Sequence, residues 1–329
     1  MIYTDLYNEI LIKPCEEGAD CLKIISGYSS ALMAYSHLKD LNERKLNARI
    51  YLLVGMCPTD GISLSNHQGF QSIVNSHAKA FKNHFSCSYI YKPHAVHSKL
   101  YIWYRSNKIY RTFIGSANYT QNAFHRQREA MAEIRDSNVE EYTQALIDDS
   151  IYCTHLEAEE KVTVHNDANY YRKHVHEDAS LKDKTPYSEL KSERISLLIT
   201  KGKKAGEIHE RGGLNWGQRP GRNSNQAYIQ LPPNVYKSDF FPKAPRWFIV
   251  HTDDFKYFFC RRAEKDQNGQ TIHTPESNKL LGEYFRYRHG LPSGAFVTRA
   301  NLEQYGRTDV VFYKIAEDEF YMDFSPFTK

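Results

Sequence analysis

The order of apolar and polar positions divides the chain into two halves of different grain. In the first half, short apolar runs alternate with stretches at helical spacing. Leu22–Tyr28 and Arg49–Val54 read as strands, and the richest apolar stretch, Leu52-Leu53-Val54-Gly55-Met56-Cys57, is a buried strand at most. Ser29–Leu46 reads as a helix, with Leu32, Tyr35, Leu38 and Leu41 near helical spacing, and Phe70–Phe85 reads as another. Strands follow over Ser88–Lys92, Ser98–Tyr104, Tyr110–Ile114 and Glu129–Ile134, and a helix over Val139–Asp149. This interleaving predicts an α/β sandwich.

The second half holds short aromatic and β-branched runs between turn residues: Ile195–Thr200, Gln226–Leu231, Trp247–His251, Lys256–Arg261, Gly294–Thr298 and Asp309–Ile315. Only short helices, near Leu280–Arg288 and Arg299–Tyr305, interrupt them, and the pattern is that of a small open β-barrel. Between the halves, Glu157–Lys191 is charged and poor in aliphatics, and reads as a linker with some helix. It holds three histidines, His165, His174 and His176, and the His174-Val-His176 pair is better read as a solvated linker pair than as a metal site. The expected organisation is therefore residues 1–156, a linker over 157–191, and residues 192–329.

Composition narrows the function classes. At 329 residues, 41% hydrophobic and 25% charged, the chain has the make-up of a globular protein with room for two domains. No apolar run reaches the length of a bilayer span, and the N-terminus, with Asp5 and Glu9, lacks a basic-then-apolar leader. A cytoplasmic location and no membrane partner are expected. The six cysteines form no CxxC pair, which argues against a zinc ribbon or redox motif and for free thiols in a reduced compartment. Charge is uneven: residues 1–189 hold 21 basic against 23 acidic side chains (−2), and residues 190–329 hold 22 against 16 (+6). The basic surplus sits where a nucleic-acid reader would carry it, although a solvated charged surface has the same composition.

Chemistry concentrates in one constellation. His97-Ser-Lys99 opens a strand whose alternation puts His97, Lys99 and Tyr101 on one face. Gly115-Ser116-Ala-Asn118 follows the next strand, and Glu129 lies eleven residues beyond Asn118, on a third. A neutral imidazole can attack phosphorus and form a phosphohistidine. Lys99, Asn118 and the Ser116 hydroxyl can donate to phosphate oxygens as negative charge builds there, and Gly115 would let backbone approach the phosphate. Glu129 can accept from the second ring nitrogen of the histidine and fix its tautomer. The scheme needs no metal or other cofactor, and no carboxylate cluster for magnesium is visible. Alone, each motif could be an exposed strand end or a capping turn; together and in this order they point to one site.

In the second half, residues 211–225 are rich in glycine, arginine and asparagine. Arg211, Asn215, Trp216, Gln218, Arg219, Arg222, Asn223 and Asn225 are candidate DNA contacts, because arginine and asparagine make bidentate contacts with guanine and adenine edges. On composition alone this stretch could equally be a flexible loop. Ser277–Pro292, with Arg286 and Arg288, is a second candidate arm.

The pair HxK…GSxN resembles the signature of the phospholipase D superfamily, and Glu129 stands at the spacing seen in its small nucleases. The family often has Asp five residues after the lysine; here that position is Tyr104, as in a subgroup that includes restriction endonucleases, and the loss speaks against the lipid-cleaving members. The superfamily's centre takes two motifs and this chain has one, so the resemblance implies a homodimer through the first domain with a composite site. The segments LNWGQRPGRN, LGEYFRYRHGLPSGAFVT and YGRTDVVFYKI further resemble the C-terminal domain of NgoFVII-type restriction endonucleases. That family joins a phospholipase D-like nuclease to an all-β, B3-like pseudobarrel whose two arms enter the major groove of DNA. The resemblance implies a type II site-specific endonuclease acting on double-stranded DNA without metal, with a cognate methyltransferase in the same system. A lipid phosphodiesterase, which would want two motifs per chain, and a DNA-binding protein with a decayed nuclease domain are the alternatives.

Overall fold

The computed structural model describes residues 2–3, 5–77, 83–125, 127–165, 193–200, 206–244, 246–254, 256–263, 269–275, 277–316 and 318–327. The chain forms two compact units, Met1–Glu177 and Asp178–Lys329. Among the described residues, no helix is long and apolar enough to cross a membrane.

The first unit is built on a mixed eight-stranded sheet. Its strands are β1 (Ile2–Tyr3), β2 (Cys21–Ser26), β3 (Arg49–Val54), β5 (His84–Ile90), β6 (Lys99–Arg105), β7 (Lys108–Gly115), β8 (Met131–Ile134) and β9 (Ser150–Tyr152), in the order β1-β8-β7-β6-β2-β3-β5-β9. β2, β3 and β5 are parallel, and β6 runs antiparallel beside β2. β2 and β3 are almost continuously apolar because both faces of the sheet are covered. On one face lies the helix Ala31–Glu43, started by Ser30, whose side chain accepts the Met33 N–H at 3.2 Å. It buries Tyr35, Leu38 and Leu41 completely, each worth about 1.5–3 kcal/mol of transfer free energy. On the other face, the helix Val139–Asp148 packs beside a cluster that includes Ile25, Leu53, Leu100 and Ile102.

Three expectations shift. The helix placed at Phe70–Phe85 begins at Leu64, because the Ser63 hydroxyl caps it, runs to Ser72 and continues as a π-helical segment over Ile73–His77; Phe85 lies instead in β5. Glu129 stands two residues ahead of β8 rather than in it. The first residues of the expected linker are ordered on this unit: Ala158–Lys161 is a helical turn, and β10 (Val164–His165) pairs in parallel with β4 (Ile62–Ser63). His174 and His176 lie outside the described residues.

The second unit is a barrel-like seven-stranded sheet. β11 (Arg194–Leu198), β12 (Ile229–Gln230), β13 (Trp247–Thr252), β14 (Tyr257–Arg262), β15 (Thr271–His273), β16 (Asp309–Ala316) and β17 (Glu319–Asp323) take the order β11-β16-β17-β13-β14-β15-β12. All neighbours are antiparallel except β13 and β17. The sheet wraps an aromatic core of Phe241, Phe248, Phe312 and Phe320, closed by Leu281 and Phe285 from the helix Lys279–Arg288. Gly294–Thr298, expected as a strand, is a loop: the Val297 N–H and carbonyl are both taken by the buried Asn215 side chain instead of a neighbouring strand. β15 and β17, too short or too polar to stand out in the sequence, complete the sheet.

Candidate functional site

One edge of the first unit's sheet gathers the candidate residues. β6 begins there with Lys99, paired with Ser26 at the end of β2, and β7 ends there at Gly115. His97 stands exposed just ahead of β6, while Lys99 is buried to 7% exposure. The Lys99 ammonium donates to the His97 carbonyl at 2.6 Å and to His97 Nδ1 at 3.1 Å. Burial holds the Lys99 ammonium below its usual pKa, with Glu129 acting in the opposite direction.

Backbone approach sets the histidine. The Val96 N–H donates to the Gly55 carbonyl at 2.9 Å, and a Cβ on Gly55 would stand 2.0 Å from the Val96 oxygen. A Cβ on Gly27 would touch His97 Cδ2 at 3.0 Å. Glycine at both strand ends is thus what lets the 96–97 segment settle on the sheet.

The turn after β7 is held from below. Asn118 Oδ1 accepts the Tyr28 N–H at 3.1 Å and the Ser26 hydroxyl at 3.3 Å, which leaves its amide N–H groups as the uncommitted end among the described residues. The Tyr101 hydroxyl donates to the Ala117 carbonyl at 2.9 Å. The Tyr119 hydroxyl meets His37 Nδ1 at 2.8 Å, and full burial pushes that imidazole down to about 4, so it stays neutral with Nε2 bonded to the Leu11 carbonyl. These buried groups fix a half-exposed asparagine at the sheet edge.

The neighbouring strand requires glycine at position 115: a Cβ there would stand 2.1 Å from the Ala130 oxygen. One expectation about this turn is corrected. Glu129 hydrogen-bonds the Ser116 hydroxyl, not the His97 ring. Ser116 also accepts the Ala130 N–H at 3.1 Å, so within one chain its hydroxyl ties Glu129 to the turn. Sequence reasoning missed Ser26, Gly27, Tyr28 and Gly55; the visible signal was a glycine at the end of each of two buried strands. The arrangement joins an exposed imidazole, an ammonium and a free amide donor on one edge, a set suited to displacement at phosphorus.

In the second unit the candidate contacts separate by burial. Asn215 is fully buried, Gln218 donates to the Ser224 and Gly294 carbonyls, and Asn225 bonds Ser293 and the Gly294 N–H. These three stitch the 213–225 loop to the 293–297 loop. Arg286, 1% exposed, gives its guanidinium to the carbonyls of Ala295, Gly282 and Leu214. Arg288 is consumed by Asp253, Tyr305 and the Phe324 carbonyl. The second expected arm, Ser277–Pro292, is therefore mainly a core helix and its arginines are internal braces: the helix packs its apolar side inward, and the arginines that share that side must be satisfied there. Arg211, Arg219, Arg222 and Asn223 are exposed. The Arg222 guanidinium lies 3.9 Å over the Trp216 ring, which rests edge-on against Tyr228, and also bonds Gln226 at 3.0 Å. Arg219 Nε donates to the Arg211 carbonyl at 2.8 Å.

Two family models match the chain, one for each unit. Residues 4–160 match the model of the NgoFVII restriction endonuclease N-terminal PLD domain, and residues 188–316 match that of the NgoFVII C-terminal B3-like DNA-binding domain. Among solved structures, NucT from Helicobacter pylori is 18% identical, with a TM-score of 0.32 over 46% of this chain and 97% of that one. Nuc from Salmonella typhimurium, a phospholipase D family member, is 13% identical, with a TM-score of 0.33 over 44% and 89%. No curated protein matches the chain.

Proposed function

The chain belongs to the NgoFVII restriction endonuclease family, and from that membership we propose that it is a type II endonuclease that hydrolyses DNA phosphodiesters site-specifically and without a metal ion. The first unit, in which residues 157–165 fold together with residues 1–156, is the nuclease and dimerisation domain and cuts; residues 192–329 read the sequence. The observation that carries the reading is that His97 and Lys99, from one stretch of the chain, and Asn118, from another, stand at the same end of the central strands β2, β6 and β7.

In this reading the His97 ring attacks phosphorus and a P–N bond forms while the P–O bond to the leaving strand breaks. The leaving oxygen takes a proton from the partner subunit's His97. Water then attacks phosphorus, gives its proton back to that ring, and the P–N bond breaks. Lys99, turning from His97 to the phosphate, and the Asn118 amide hold the charge on the non-bridging oxygens. One chain has one such set, so the site is completed by a second copy. Glu129, with Ser116, steadies the turn and is available to the partner's ring. Arg219 and Arg222, in a preset arm, read base edges. A host carrying this enzyme needs a cognate methyltransferase to protect its own sites.

Plasmid cleavage in excess EDTA tests the reading. The wild-type chain should cut at discrete sites and His97→Ala should not, with a loss of several orders of magnitude. Cleavage that stops with chelator and returns with magnesium overturns the metal-free scheme. Cleavage of a phospholipid but not of DNA overturns the substrate.

A further inference from the structure

We propose that Tyr28, tethered by Asp60, is a positioning residue that sets the His97 imidazole against the Asn118 amide. The proposal rests on His97 being the nucleophile and adds a residue outside the HxK and GSxN motifs.

Three contacts converge on the end of β2. The Tyr28 ring meets the His97 ring edge-to-face, with centres 5.9 Å apart and planes at 81°. The Tyr28 backbone N–H holds Asn118 Oδ1 at 3.1 Å, while the Ser26 hydroxyl reaches both the Tyr28 carbonyl at 2.5 Å and Asn118 Oδ1. The Tyr28 hydroxyl donates to Asp60 Oδ2 at 2.6 Å, and Asp60 sits at the end of a helical turn after β3, 9% exposed. One residue therefore touches the attacking ring with its side chain and the charge-stabilising amide with its backbone. Gly27, beside it, leaves no side chain between β2 and His97.

The tether keeps its sense across the working pH range. Burial, reinforced by the bond to Asp60, pushes the Tyr28 phenol up to about 12, so it remains a donor. A ring anchored at its hydroxyl has no rotamer to escape to, and an imidazole leaning on it is held in one orientation. Misplacing a reacting group by about 1 Å costs on the order of 100-fold in rate. The charged groups linked to the imidazole are Lys99 directly and Asp60 through Tyr28.

The test is single-turnover cleavage of a cognate duplex by the full chain, with affinity for uncleaved DNA measured alongside. Tyr28→Ala should slow the chemical step by about 30- to 100-fold and change affinity less than about twofold. Tyr28→Phe and Asp60→Ala should each cost about three- to tenfold, and together no more than either alone, because both break one tether. Additive losses, or losses in affinity equal to those in rate, would mean that the pair merely supports the fold. Rates within threefold of wild type for all the variants, with His97→Ala inactive, overturn the proposal while leaving the nucleophile in place. An active His97→Ala overturns both.

Discussion

At the scale of single residues, burial decides which arginine is able to read DNA. Arg219 and Arg222 are exposed and preset, the second stacked on Trp216. If they read base edges, alanine at either should cost about 1–3 kcal/mol on the cognate site and relax preference at one base pair. Titrations against single-base variants at two salt concentrations check this. Uniform weakening with the salt slope lower by about one would make them phosphate clamps. Arg286→Ala behaves differently, because it removes the buried guanidinium that donates to the Ala295, Gly282 and Leu214 carbonyls. It should destabilise the second unit by roughly 3 kcal/mol or more, seen in a denaturant melt. This distinction was not legible in the sequence: an arginine in a Gly-Arg-Asn run and an arginine on a short amphipathic helix look alike until the helix shows which side it buries. The placement of His97, Lys99 and Asn118 at the ends of neighbouring strands was legible in the strand order. Tyr28 was not, because only the pairing of β2 with β6 makes it their neighbour.

At the scale of elements, the β7–β8 pair carries the turn that presents Asn118. Gly115 allows Ser116 N–H to reach the Ala130 oxygen at 3.0 Å, and Ser116 then binds Glu129. Gly115→Ala should push the two strands apart, cost about 1–3 kcal/mol in thermal melts, and reduce cleavage beyond what the lost stability explains. An active, fully stable Gly115→Ala would mean that the strands shift freely there. Long periodic elements were readable: Arg49–Val54 appears as expected, and Arg299–Tyr305 forms with a Thr298 capping box. The Gly294–Thr298 run failed as a strand because a buried asparagine, not a strand, satisfies its backbone, and a pattern of side chains does not report that.

At the scale of the whole molecule, a phospholipase D-like unit is followed by a B3-like DNA-binding unit, and the proposed function gives cutting to the first and reading to the second, whose residues 190–329 carry the positive surplus. With one motif set per chain, the active species should be a dimer of the 38.3 kDa chain, and sedimentation equilibrium of the full-length protein measures it. A fully active monomer would contradict the composite site. If DNA is cut by two successive displacements through His97, each in-line displacement inverts the configuration at phosphorus, and the two together restore it. The stereochemical course of cleavage at a single chiral phosphorothioate in the cognate site, run in isotopically labelled water, tests this directly. Retention of configuration is the predicted result; inversion, the mark of one direct attack by water, would contradict it.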